Sequence, residues 1–229
     1  MDRYIVESDH CLSCKSESMS DVICIYPQDA TTIFLRPLCD FICSAFGATE
    51  IGFDTSGDDD PHEAIYAGIR NAQTIFFLGH GRSDCLYASV MDNDKLIEKS
   101  NVSLLEGKQL FLLACDSDQF IKNYGLSNAI GFGFLPTSKD DVNRRKKYHK
   151  VDISGTTRQD VDCFNTALVK SLIKALSIEK TIDDPSLFAE RLKFNASSEI
   201  VDCLINTKSP NYRVVADELY YFYKDLLIK

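Results

Sequence analysis

Three short apolar runs dominate the first half of the chain, at residues 21–26 (DVICIY), 74–78 (TIFFL) and 108–114 (KQLFLLA). Polar residues interrupt them little, which is typical of strands that are buried on both faces of a parallel sheet. Between the first two runs, residues 31–46 place apolar side chains at helical spacing, and residues 61–71 begin with a proline, as many helices do. This alternation of strand and helix predicts a doubly wound α/β sheet.

Beyond the third run, the pattern changes from strands to helices. A short helix near residues 119–129 and a strand at 131–135, ended by Pro136, continue the alternation, and residues 50–53 offer one more short strand. Thereafter apolar residues recur every three or four positions, which is the spacing of a helical face packed on a core. This spacing predicts three further helices, over residues 161–176, 186–192 and 212–227.

Two polar segments, residues 54–60 and 138–154, lack apolar periodicity, and we predict that both are exposed loops. Residues 1–20 are expected to form a flexible N-terminus, and the whole chain, residues 1–229, to form a single domain. The second loop contains four consecutive basic residues, for which a solvated surface patch is the ordinary interpretation. These residues are Arg144, Arg145, Lys146 and Lys147.

Composition and charge exclude several classes of function. Hydrophobic residues make up 45% and charged residues 26% of the 229 positions, which is enough for one sizeable core. A net charge of −9 repels phosphate backbones and anionic lipids, so we expect neither nucleic acid nor membrane as a partner. No apolar run is long enough for a membrane helix, and the start does not resemble a signal peptide. Nine cysteines, several within apolar runs, fit reduced thiols in the cytoplasm.

A histidine and a cysteine leave the predicted sheet at the same edge. His80 follows the second apolar run and Cys115 follows the third, and reacting groups in open parallel sheets gather where the strands end. A thiolate is a nucleophile, and a nearby imidazole can take the thiol proton and later protonate the leaving amine. Gly81 permits close approach of a substrate backbone, and its amide and that of Cys115 are candidate donors to an oxyanion. We therefore predict a catalytic dyad of His80 and Cys115.

The segments IFFLGHG and LFLLACDS resemble the two catalytic segments of the caspase-like cysteine peptidases, in particular the bacterial CHAT branch. In that branch a hydrophobic strand ends in His-Gly, and the next ends in Ala-Cys followed by an acidic residue and Ser or Thr. The similarity covers residues 74–135, because YGLSNAIGFGF at 124–134 resembles the helix and strand after the cysteine. It implies a caspase-like three-layer α/β fold, with a mostly parallel central sheet flanked by helices. His80 is then general base and acid, Cys115 the nucleophile and Gly81 the oxyanion support.

The same resemblance implies a cysteine endopeptidase that needs no cofactor or metal and acts on protein or peptide substrates. It also implies control by a separate sensor or regulatory protein, in a bacterial defence or cell-death pathway. Metacaspases place an acidic residue two positions before the nucleophile, where this chain has Leu113. Asp116, Asp118 and Asp54 could instead line the mouth of the site and favour substrates cleaved after Lys or Arg.

The basic run 144–147 would then be the nearest substrate of the enzyme. Caspase-fold peptidases often mature by cutting a loop after the nucleophile's strand, and a loop tethered beside the site has a high effective concentration. We expect either slow self-cleavage in the loop 138–154 or a loop that gates the site.

Three alternatives stay open. The chain could be a catalytically inactive caspase-fold scaffold or adaptor, or a signal-receiving domain phosphorylated on Asp54. The latter needs an acidic pair after the first strand, where Asp29 supplies one carboxylate at most. Cys11 and Cys14, beside His10, form half of a zinc site, and no second close pair follows them.

Overall fold

The computed structural model describes residues 21–54, 61–90, 93–143, 153, 155–177 and 183–229. The strands are β1 (Val22–Gln28), β2 (Thr49–Asp54), β3 (Thr74–Leu78), β4 (His80–Arg82), β5 (Cys85–Ser89), β6 (Asp94–Ile97), β7 (Gln109–Leu113), β8 (Ala129–Gly131) and β9 (Leu227–Ile228). The helices include α1 (Arg36–Phe46), α2 (His62–Asn71), α3 (Ser117–Tyr124), α4 (Arg158–Leu176), α5 (Pro185–Asn206) and α6 (Tyr212–Lys224). Two short 3-10 turns cover Ile33–Leu35 and Val102–Leu105.

The main sheet has six strands in the order β2-β1-β3-β7-β8-β9. Its first five strands run parallel, and β9 pairs antiparallel with β8. Alternate residues of the central strands face two apolar layers, since Phe76 packs with helices α1, α4, α5 and α6, whereas Phe77 packs with α2, α3 and a small second sheet. The predicted α/β class, with a mostly parallel central sheet flanked by helices, is confirmed to this extent.

The predicted strand at residues 131–135 is wrong. Strand β8 is Ala129–Gly131, and residues 132–137 have no regular structure. The backbone there is used by the turn before α3: the amides of Asp116 and Asp118 donate to the carbonyls of Gly133 and Phe132. A segment whose carbonyls are occupied by a neighbouring turn does not continue a sheet ladder.

The helical half differs from prediction mainly in the length of its helices. Helix α5 is much longer than residues 186–192, because buried positions recur beyond them at Ala196 and Cys203, among exposed residues that hide the pattern. Helix α6 ends at Lys224, so the predicted helix 212–227 stops early and the chain turns into β9. Among the described residues, no helix combines the length and apolar character needed to span a bilayer.

A three-stranded antiparallel sheet, in the order β4-β5-β6, was not predicted. It begins at once after β3, so that His80 is the first residue of β4 rather than part of a loop. The small sheet packs Leu86 and Leu96 against the same layer as α2 and α3. This packing fixes the direction in which the chain leaves the main sheet at His80.

Candidate active site

The carboxyl ends of β1, β3 and β7, three adjacent strands, meet at a small pocket of about 20 Å³. His80 and Cys115 both line it, together with threonine and aliphatic side chains that include Thr31, Leu113 and Leu135. The two residues predicted as a dyad are therefore brought to one pocket. Their exchange of a proton stays a prediction.

His80 is held through one ring nitrogen. Its Nε2 lies 2.9 Å from Asp29 Oδ2 and 2.9 Å from Thr31 Oγ1. The Thr31 hydroxyl donates its own proton to Asp29 Oδ1 at 2.6 Å, so its oxygen is left to accept from the imidazole. Because both partners accept, the proton resides on Nε2 and the lone pair on Nδ1. Nδ1 is thus the nitrogen that can take a proton from a thiol.

Asp29 is fixed by the tight turn that follows β1. Its Oδ1 accepts from the backbone amides of Thr31 at 2.6 Å and Thr32 at 2.9 Å, and the Thr32 hydroxyl closes the turn by donating to the Pro27 carbonyl. Burial by itself would raise the pKa of Asp29. Hydrogen bonds from His80 and Thr31 outweigh this effect and hold the pKa well below its usual range. Asp29 is therefore ionised, and it can stabilise a positive charge on the His80 ring.

Cys115 lies between the end of β7 and the start of α3. Its side chain is almost fully buried, and Sγ donates to the Leu135 carbonyl at 3.3 Å. The next residue, Asp116, has φ 56°, a left-handed conformation that Asp tolerates better than most residues and that turns the chain into the helix.

Ser117 holds this turn in place. Its buried hydroxyl donates to the Leu112 carbonyl at 2.6 Å and accepts from the Phe132 amide at 2.8 Å. The hydroxyl thereby connects the end of β7, just before Cys115, to the segment that follows β8. A small hydroxyl-bearing residue two positions after the cysteine is part of the resembling pattern, but the sequence analysis gave it no role.

Gly81 packs directly on the backbone that carries the cysteine. A Cβ at this position would lie 2.9 Å from Ala114 Cβ and 3.0 Å from the Cys115 carbonyl oxygen, so that only glycine fits without a shift. The expected closeness of Gly81 and Cys115 is therefore present. The donation of the Gly81 amide to an oxyanion stays a prediction.

The other predicted site residues are placed less favourably. Asp118 is buried and accepts from Lys122 at 3.0 Å and from Gln119 at 2.6 Å, so its carboxylate faces its own helix rather than the pocket. Asp116 is half-buried and is not among the residues that line the pocket. The backbone of Asp54 pairs with Gln28 at the end of β2, but its side chain is outside the described part. Also outside the described residues are Arg144, Arg145, Lys146 and Lys147 and the N-terminal His10, Cys11 and Cys14.

Sequence reasoning missed Asp29 and Thr31 as site residues. It weighed Asp29 only as half of an acidic pair for phosphorylation. The available signal was the order Asp29, Thr31, Thr32 directly after the first buried strand, because Asp and Thr side chains cap such turns and the end of β1 meets the ends of β3 and β7.

Comparison of the chain with protein-family models, curated proteins and solved structures gave no match. The interpretation of the site therefore depends on its own geometry.

Proposed function

We propose that this chain is a caspase-like cysteine endopeptidase that hydrolyses peptide bonds with His80 and Cys115. One observation carries the proposal: a carboxylate-oriented histidine and a cysteine line the same pocket at the ends of adjacent parallel strands. Asp29 fixes the tautomer in which Nδ1 can accept a proton, which is the form that a general base requires.

In the proposed reaction, His80 Nδ1 takes the thiol proton, and the bond from Sγ to the Leu135 carbonyl is lost with it. The thiolate attacks the scissile carbonyl carbon, and the amides of Gly81 and Cys115 donate to the oxyanion. The imidazolium, stabilised by Asp29, gives its proton to the leaving amine. Water, deprotonated by Nδ1, then hydrolyses the thioester and restores the free thiol.

The proposal includes cleavage after a basic residue and control by a separate sensor protein in a cytoplasmic defence or cell-death pathway. The preference for Lys or Arg rests on the net charge of −9 and on Asp116 and Asp54 at this edge of the sheet. The aliphatic and threonine lining would contact the methylene stem of such a side chain. Self-cleavage in the basic run 144–147 follows from the same preference. A fluorogenic panel in which Asp is preferred to Arg and Lys would overturn the preference without touching the dyad.

The deciding experiment is a peptide-library assay on the wild type, Cys115→Ala, His80→Ala and Cys163→Ala. Cys163 is a half-buried thiol on α4, away from the pocket, and serves as the matched control. We expect cleavage by the wild type and by Cys163→Ala only. Full turnover in Cys115→Ala would refute the proposal. Fragment mapping of the incubated wild type and Cys115→Ala proteins tests self-cleavage, since a nick that persists in the variant cannot come from the dyad.

One observation favours the alternative of a catalytically inactive scaffold of the same fold. The Cys115 thiol is almost fully buried and its proton is directed at a carbonyl rather than at His80. A scaffold would keep its cellular effect in Cys115→Ala, whereas a peptidase would lose it.

A further inference from the structure

A cluster of two thiols and a carboxylate, on α1 and β2, takes no part in the proposed reaction. Cys39 and Cys43 are four residues apart on α1, which places them on one face of the helix. Their sulfur atoms and a carboxylate oxygen of Glu50, on β2, all lie within 4.8 Å of one another. The sequence analysis saw these cysteines only as core residues, because the three donors come from two separate elements.

From this geometry we infer a binding site for one zinc ion, or a similar thiophilic divalent cation, formed by Cys39, Cys43 and Glu50. Thiolate sulfur and carboxylate oxygen are both zinc ligands, at about 2.3 Å and about 2.0 to 2.2 Å from the ion. Tetrahedral donors around such an ion stand about 3.8 Å apart or less, so the three side chains need to close by only about 1 Å.

The surroundings of the three donors suit a cation. Arg36 holds Glu50 through two hydrogen bonds, of 2.7 Å and 3.1 Å, which orients the carboxylate as an outer-shell partner does. Two thiolates and the carboxylates of Glu50 and Asp40, both of which pair with Arg36, carry four negative charges, against three positive charges from a divalent ion and the guanidinium. Cys43 and Glu50 are half-exposed, so that the ion has a route of entry and solvent can fill a fourth position.

Cys24, on β1, contacts one of the two cysteine ligands. Its thiol donates to Cys39 Sγ at 3.6 Å, an outer-shell contact that orients this ligand. Thiols bind such an ion as thiolates, so each ligand thiol releases its proton when the ion binds. Binding of one ion therefore replaces the thiol protons, which pass to the buffer, and no electron is transferred.

The site is tested by titrating the reduced full-length protein with Co²⁺, a spectroscopic substitute for Zn²⁺. We expect one Co²⁺ per chain, with sulfur-to-cobalt charge-transfer absorption and the strong visible bands of tetrahedral cobalt. Both signals should be lost in Cys39→Ser and Cys43→Ser. They should persist in Cys163→Ser, a matched half-buried helical thiol, and in the double variant Cys11→Ser/Cys14→Ser, which removes the N-terminal pair.

Two further measurements guard against variants that fail to fold. Glu50→Gln alters a half-exposed ligand and should weaken Co²⁺ binding at least about tenfold while the circular dichroism spectrum is unchanged. Zn²⁺ should raise the Tm of the wild type and of Cys163→Ser but not that of Cys43→Ser. The site is refuted if the wild type shows no charge-transfer band, if Cys43→Ser and Glu50→Gln both bind as the wild type does, or if the signal disappears in Cys11→Ser/Cys14→Ser. None of these results depends on peptidase activity.

Discussion

Two carboxylates, the partly buried Asp29 and the fully buried Asp160, have the same electrostatic character in different surroundings. For each of them burial would raise the pKa, and hydrogen bonds outweigh it and hold the pKa well below the usual range. Asp29 shares its hydrogen bonds between a turn and the imidazole of His80, which lines the small pocket. A lowered pKa therefore shows only that a carboxylate is well supplied with donors, and the identity of the donors shows what it does.

Asp160 accepts its hydrogen bonds from backbone amides and from residues at helix starts. It forms a capping box with Thr157 at the start of α4. Its two oxygens also accept from the backbone amide and the side-chain amide of Asn211, just before α6, at 2.9 Å and 2.8 Å. This carboxylate joins the starts of two helices, and no titratable partner among the described residues shares it.

The largest expected effect separates the two carboxylates by activity. In Asp29→Asn, the amide oxygen can still accept from the turn, but the amide nitrogen faces His80 Nε2 and forces the proton onto Nδ1. We expect kcat to fall roughly 1,000-fold with little change in KM, because the ring is then in the wrong tautomer for a base. Steady-state kinetics on a cleaved peptide measure this. A kcat within threefold of the wild type would mean that Asp29 does not position the histidine.

The second effect distinguishes Asp160 from Asp29 by its contribution to the free energy of unfolding. Asp160→Asn sets an amide nitrogen against the donors of Thr157 and Asn211, and we expect a loss of about 2 to 3 kcal/mol in the free energy of unfolding. Activity per folded molecule should be unchanged. Urea unfolding measures the loss, and Asp162→Asn, an exposed neighbour on α4, is the control with an expected change below about 0.5 kcal/mol. A control that loses as much as Asp160→Asn would contradict the assigned role.

Acid should erase the stability difference between wild type and Asp160→Asn. A carboxyl whose folded pKa is depressed contributes stability that is present above its unfolded pKa, about 3.9, and is lost as the pH falls toward the folded value. The gap of about 2 to 3 kcal/mol should therefore be full at pH 6 and shrink steadily below about pH 4. Urea unfolding of both proteins across this range measures it, and a gap that widens in acid would reverse the sign of the argument.

The smallest effect concerns a third carboxylate, Glu199 on α5. Its Oε1 lies 2.7 Å from Lys170 and 3.2 Å from Lys174, and both lysine side chains are about half exposed. Because solvent screens the exposed lysine ends of both pairs, Glu199→Gln should cost only about 1 kcal/mol, and less in high salt. Thermal unfolding at low and high salt measures this. A cost equal to that of Asp160→Asn would show that the kind of hydrogen-bond donor does not determine how much each carboxylate stabilises the fold.

The strands and the edge of the candidate site were predictable because they depend on local patterns. Unbroken apolar runs predicted β1, β3 and β7, and parallel strands align their carboxyl ends, which brought His80 and Cys115 to the same edge. The contacts of Asp29 and of Ser117 were not predictable, because each joins residues far apart in the sequence within irregular turns. The same holds for the cluster of Cys39, Cys43 and Glu50, whose donors are brought together by the packing of α1 on the edge of the sheet.

The strand order of the main sheet also has a kinetic consequence. Asp29, His80 and Cys115 follow β1, β3 and β7, which lie side by side in space but are separated by tens of residues of chain. Pairing of such distant parallel strands requires the closure of long loops and is slow compared with the formation of helices. A chain whose helices have formed before these strands pair has no assembled site. A newly made molecule therefore lacks the candidate site until its central sheet is complete.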